Sequence, residues 1–156
     1  MSMSKYVAYG DVTFWAYDVA LCIFLKFLID RASLRTEPEH ADWLSACIQN
    51  WQVIAVVNDY GLHFDERLSE EQIKIILCLI DRTCCELGKR DSIPAQEIES
   101  WNILDGEGIF ARGDSEFPTA PVIELGRVIQ ELLRGTLAPV PKSTQWFFDF
   151  TRGKRR

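Results

Sequence analysis

From Val12 to Ile29 the chain carries eighteen residues, VTFWAYDVALCIFLKFLI, in which only Asp18 and Lys26 bear charge. A run this apolar belongs either in a bilayer or at the centre of a protein core. Each of the two charges costs about 2.5–3.5 kcal/mol near a bilayer centre. No basic region leads into the run, and no small-residue cleavage site follows it. The run is therefore expected as a buried helix of a soluble bundle, capped by Asp11 after Gly10 and reaching about Ala32. Its apolar residues surround the axis, the pattern of a helix enclosed by neighbours.

Periodicity predicts four more helices. Over 39–58, Trp43, Leu44, Cys47, Ile48, Trp51, Ile54 and Val57 recur at three- and four-residue steps. The β-branched stretch 53–57 would also suit a strand, but the unbroken spacing before it favours helix, and Tyr60-Gly61 ends the element. Ser69 and Gln72 form a capping box for a third helix, with Glu70 and Glu71 at its positive end. Ile73, Ile76, Leu77, Ile80, Cys84 and Leu87 line its expected inner face, and Gly88 stops it. A shorter helix is expected over 92–104, capped by Ser92 with Pro94 in its first turn. An irregular loop over 105–118, holding Gly106, Gly108 and Gly113, leads to a last helix over 119–134 that Gly135 terminates. The segment 146–150 reads as a short C-terminal strand or a packed arm. The expected fold is mainly α: one domain over 1–151, about five helices around a buried N-terminal helix, followed by a basic, disordered tail over 152–156.

The formal net charge of −6 conceals an asymmetry. Four basic residues crowd into the last five positions; without them 13 basic residues face 23 acidic ones, a body at −10. Such a body repels phosphates, so nucleic acid is not an expected partner. The basic tail reads as a solvated terminus rather than a nucleic-acid or lipid contact. Five cysteines, an odd number with four of them in apolar helical patterns, point to a reducing compartment and a cytoplasmic location.

Motifs that carry chemistry are missing. His40 and His63 stand in no metal-ligand spacing, and the cysteines form no C-x-x-C pair, so neither a metal nor a cofactor is expected. Asp105 and Glu116 hold the first and twelfth places of a would-be calcium loop. Ile109 and Phe110 stand where that loop needs an oxygen ligand and a glycine, which leaves a glycine-bearing surface turn. No phosphate-binding glycine loop and no G-x-S-x-G elbow occurs. Cysteines on apolar helical faces are poor nucleophiles; Cys85, beside the stripe, is the least unsuited. Arg112-Gly113-Asp114 spells an adhesion tripeptide by chance. The chain reads as a non-enzyme.

Two acidic segments remain, over 37–71 and over 97–116. The second combines Glu97, Glu99, Asp105, Glu107, Asp114 and Glu116 with Trp101 and Phe110, charges interleaved with aromatic anchors. Solvation alone accounts for many acidic faces. The functional expectation is that these residues meet a basic protein, with electrostatic steering speeding the encounter. The composition is similar to that of many bacterial immunity proteins, which neutralise basic nuclease toxins. A toxin-inhibiting role of that kind is the first expectation. A helical adaptor or self-associating protein is the second. An enzyme or small-ligand domain using His40 or His63 is the third.

Overall fold

The computed structural model describes residues 4–35, 37–57, 60–109 and 116–137, and the backbone of 146–148. Within these the chain runs β1 (Ser4–Tyr9), β2 (Val12–Tyr17), α1 (Asp18–Ala32), a 3-10 turn (Pro38–His40), α2 (Ala41–Val56), β3 (Leu62–Phe64), α3 (Glu70–Leu87), β4 (Ser92–Pro94), α4 (Ala95–Glu99), β5 (Glu116–Pro118), α5 (Ala120–Arg134) and β6 (Trp146–Phe148). The mainly α expectation is thereby corrected: the helices pack with a four-stranded sheet of order β3-β1-β2-β6 and a separate β4-β5 pair.

The largest departure lies at the N-terminus. The helix expected from Asp11 begins only at Asp18, and 12–17 is strand. Gly10 takes a left-handed φ of 61°, and the two-residue loop Gly10-Asp11 folds β2 back on β1 in register from Tyr9↔Val12 to Ser4↔Tyr17. Glycine at the first loop position suits a tight hairpin turn. β3 joins the other edge of β1 in parallel, and the backbone of β6 pairs in parallel with β2. A Cβ on Gly61 would lie 2.4 Å from the Tyr6 ring, so only glycine lets the chain enter β3 beneath that side chain. Lys5, 5% exposed, donates through Nζ to the carbonyls of Val57 (2.8 Å) and Tyr60 (3.0 Å), tying the end of α2 to the sheet.

α1 is buried from Asp18 to Leu25 without a break and packs against α2, α3 and α5. Each fully buried Leu, Ile or Phe contributes roughly 1.5–3 kcal/mol, which makes this segment the centre of the core. Lys26 Nζ pairs with Asp30 at 2.6 Å on its one partly open side. The Ser69–Gln72 capping box forms with both bonds present, Gln72 N to Ser69 Oγ at 3.1 Å and Ser69 N to Gln72 Oε1 at 2.9 Å. The buried face of α3 is rotated from the expected one: Ile75, Leu79 and Thr83 join Ile76, Ile80, Cys84 and Leu87, while Ile73 and Leu77 are half-buried.

The helix expected over 92–104 is also corrected. Ser92–Pro94 is extended, because Ile93 and Phe117, each 1% exposed, face one another in the β4-β5 ladder. α4 therefore starts after Pro94 and covers five residues. α5 buries Val122, Leu125, Ile129, Leu132 and Leu133 and ends at Gly135 with φ 76°. Among the described residues no helix is long and apolar enough to cross a membrane. The tail over 152–156 and the tripeptide Arg112-Gly113-Asp114 lie outside the described residues.

Candidate functional site

The acidic segment over 97–116 divides into residues held by the chain itself and residues turned outward. Glu97, on α4, accepts two hydrogen bonds from Arg90, both 2.7 Å long, and the guanidinium holds its carboxyl below the usual carboxylate range. Glu116 stands opposite Pro94 in the β4-β5 ladder and accepts a hydrogen bond from Ser92 Oγ. Trp101 faces inward: Lys26 Nζ lies 5.0 Å from its ring centroid, and Phe27 meets it edge-on at 6.0 Å. Glu99 is exposed on α4. Phe110 and Asp114 lie outside the described residues.

Asp105 and Glu107 differ from these. Leu104 and Glu107 form a two-way bridge, Glu107 N to Leu104 O at 2.8 Å and Leu104 N to Glu107 O at 3.1 Å. Between them Asp105 (φ 52°) and Gly106 (φ 84°) are both left-handed, the backbone pattern of a primed hairpin turn. Asn102 Oδ1 accepts from Gly106 N at 2.8 Å. Buried Ile103 and Ile109 anchor the two ends, and Gln52 of α2 donates to the Ile103 carbonyl at 3.1 Å. A Cβ on Gly108 would fall 2.2 Å from the Trp101 carbonyl oxygen, so the turn is pressed against its own base. The result is a short, rigid tip with Asp105 and Glu107 exposed. Neither carboxylate forms an ion pair with a described residue.

A second feature lies between α2, β3 and the start of α3. A cleft of about 470 Å³ has Trp43, Cys47, Trp51, Phe64 and Ile76 among its walls. Trp51, Phe64 and Ile76 are at most 4% exposed and form its floor. Trp43, Cys47 and Trp51 stand four residues apart on one row of α2, as do Ala46 and Asn50 on the neighbouring row. On β3 the side chains alternate, so Leu62 and Phe64 are buried and His63 is exposed. His63, Asn50, Asp65 and Arg67 also border an adjoining hollow that Glu66 helps to line. Asp65 accepts from Arg67 N, Nε and Nη2 at 2.8, 3.1 and 3.0 Å, and this hydrogen bonding lowers its pKa. His40 Nε2 meets Glu71 at 3.1 Å and its ring lies 6.2 Å from that of Trp43, bringing the starts of α2 and α3 together.

Burial pushes the Cys47 thiol up to about 11, so at neutral pH it is a protonated, apolar wall and not a thiolate. Among the described residues no group of three His, Cys, Asp or Glu could hold a metal ion. The cleft has an apolar floor beneath a polar rim. The periodicity of α2 marks Trp43, Cys47 and Trp51 only as a core-facing row; His63, one of the two histidines expected of a small-ligand pocket, does border the cleft, while His40 does not line it. The alternation of Leu62-His63-Phe64 was the local signal that His63 points away from the core. No protein-family model, no curated protein and no solved structure matches this chain.

Proposed function

We propose that this chain is a small acidic protein-binding protein that captures and neutralises a basic protein, as bacterial immunity proteins do with nuclease toxins. The observation that carries this reading is the tip formed by Asp105 and Glu107. Two exposed carboxylates sit on a turn that hydrogen bonds and close packing hold rigid, on a body at −10. A preorganised turn loses little conformational freedom on binding, and its charges steer a cationic surface toward it. Glu97 and Glu116 are held away from such a role by Arg90 and Ser92. The test is co-expression with the product of the adjacent reading frame, followed by co-purification and a growth assay. A stoichiometric complex and relief of toxicity are expected. Absence of both would overturn the proposal.

A further inference from the structure

The cleft between α2, β3 and α3 has an environment that its volume alone does not convey. Asp42 lies one turn before Ala46 on the row that walls the cleft. Asp65 and Glu66 stand at its outer end. Glu70 and Glu71 open α3, and the contact of Glu71 with His40 places that first turn beside the start of α2. Asp65 and Glu66 therefore line the cleft and its adjoining hollow, and Asp42 and Glu71 neighbour the lining residues Trp43 and Gln72 in sequence, against the permanent cations Arg67 and Lys74, of which Arg67 is already paired with Asp65. The floor is apolar, and the carboxylates near the rim outnumber its cations.

We infer that this cleft is the anchor site for the basic partner: it receives one aromatic or large aliphatic side chain, flanked in the partner's sequence by Lys or Arg. The inference rests on the reading given under Proposed function and adds to it a second contact surface and a sequence requirement on the partner. A buried anchor in a desolvated pocket, ringed by complementary charge, is the arrangement that concentrates binding energy at protein interfaces. The anchor would sit against Trp43, Trp51 and Phe64, with its flanking cations facing Asp42, Asp65 and Glu66. Cys47, held as the neutral thiol, adds apolar wall.

The experiment is an amide NMR titration of the full chain with four defined probes. These are the peptides Lys-Lys-Phe-Lys-Lys, Lys-Lys-Ser-Lys-Lys and Glu-Glu-Phe-Glu-Glu, and N-acetyl-phenylalanine amide. Saturable shifts are expected at Trp43, Cys47, Asn50 and 63–68 with the first probe, and binding about tenfold weaker or absent with the other three. Ala46→Arg, at an exposed helical position where Arg is well tolerated, should abolish those shifts while circular dichroism stays unchanged. Equal response to N-acetyl-phenylalanine amide would make the cleft a small-molecule pocket and overturn the inference. Shifts confined to 104–107 with the basic peptides would overturn it while leaving the acidic-tip reading intact. No shift with any basic peptide would overturn the anchor site, and the co-expression result would then decide the broader reading alone.

Discussion

Replacing Gly126 by Ala measures how tightly α1, α3 and α5 meet. A Cβ built at Gly126 lies 2.9 Å from Cys84 Sγ and 3.0 Å from Phe24 Cε1. Carbon contacts normally begin near 3.5 Å. Phe24 is fully buried and Cys84 is 3% exposed, so neither can swing into solvent. Overpacking of this kind costs about 1–3 kcal/mol, while exchanging a mid-helix glycine for alanine returns about 1 kcal/mol. The net expectation for Gly126→Ala is a loss of about 1 kcal/mol. Cys84→Ala removes the nearer obstacle and leaves a small void, itself costing about 1 kcal/mol. In that background Gly126→Ala should become neutral or stabilising, so the two substitutions couple favourably by about 1–2 kcal/mol. Urea unfolding of the four proteins, followed by far-ultraviolet circular dichroism at constant m, reads the cycle. If Gly126→Ala stabilises both backgrounds by the full helix-propensity gain, the three helices do not meet as described.

Further outcomes follow from other contacts in the fold. Gln130, 2% exposed, donates to Leu77 O and Asp81 Oδ1 and accepts from Arg127, so Gln130→Leu should cost about 1–3 kcal/mol in thermal or urea unfolding. The Gln130 and Arg127 hydrogen bonds lower the pKa of Asp81, whose contribution is therefore present above its unfolded value of about 3.9 and lost as pH falls through the folded one. Stability of the wild type should fall over that acid range more steeply than that of Gln130→Leu, an effect reduced by the solvent exposure of Asp81. Gly108→Ala must displace the Trp101 carbonyl, and should cost about 1–3 kcal/mol and shift the amide resonances of 102–107. Iodoacetamide at neutral pH should label exposed Cys85 first and Cys47 far more slowly, as mass spectrometry of timed digests would show.

Features set by a few neighbouring residues were legible in the sequence. The Ser69–Gln72 capping box needs only a four-residue window, and the Gly135 stop only the end of an apolar stripe. The surface turn at Asp105-Gly106 was visible for the same reason. The N-terminal hairpin was hidden by continuity: Val12–Tyr17 merges with Val19–Leu25 into one apolar run, and hydropathy does not mark where strand becomes helix. Only the loop Gly10-Asp11 signals the reversal. β4 and β5 are three residues each, too short for a period, and exist because Ile93 and Phe117 meet across 24 positions. The cleft is not legible in the sequence, because an apolar row on α2 looks alike whether a helix covers it or a pocket opens above it. What leaves it open is the placement of β3, and that depends on Lys5 and Gly61 acting across more than fifty positions.

The proposed electrostatic capture of a basic protein is tested most directly by the association rate with the co-purified partner as salt is raised. In stopped-flow mixing from about 20 to 500 mM NaCl, the rate constant should fall by about tenfold or more. The slope should be shallower for the double variant Asp105→Asn/Glu107→Gln. A rate that does not change with salt, and is identical in the two proteins, would contradict the account.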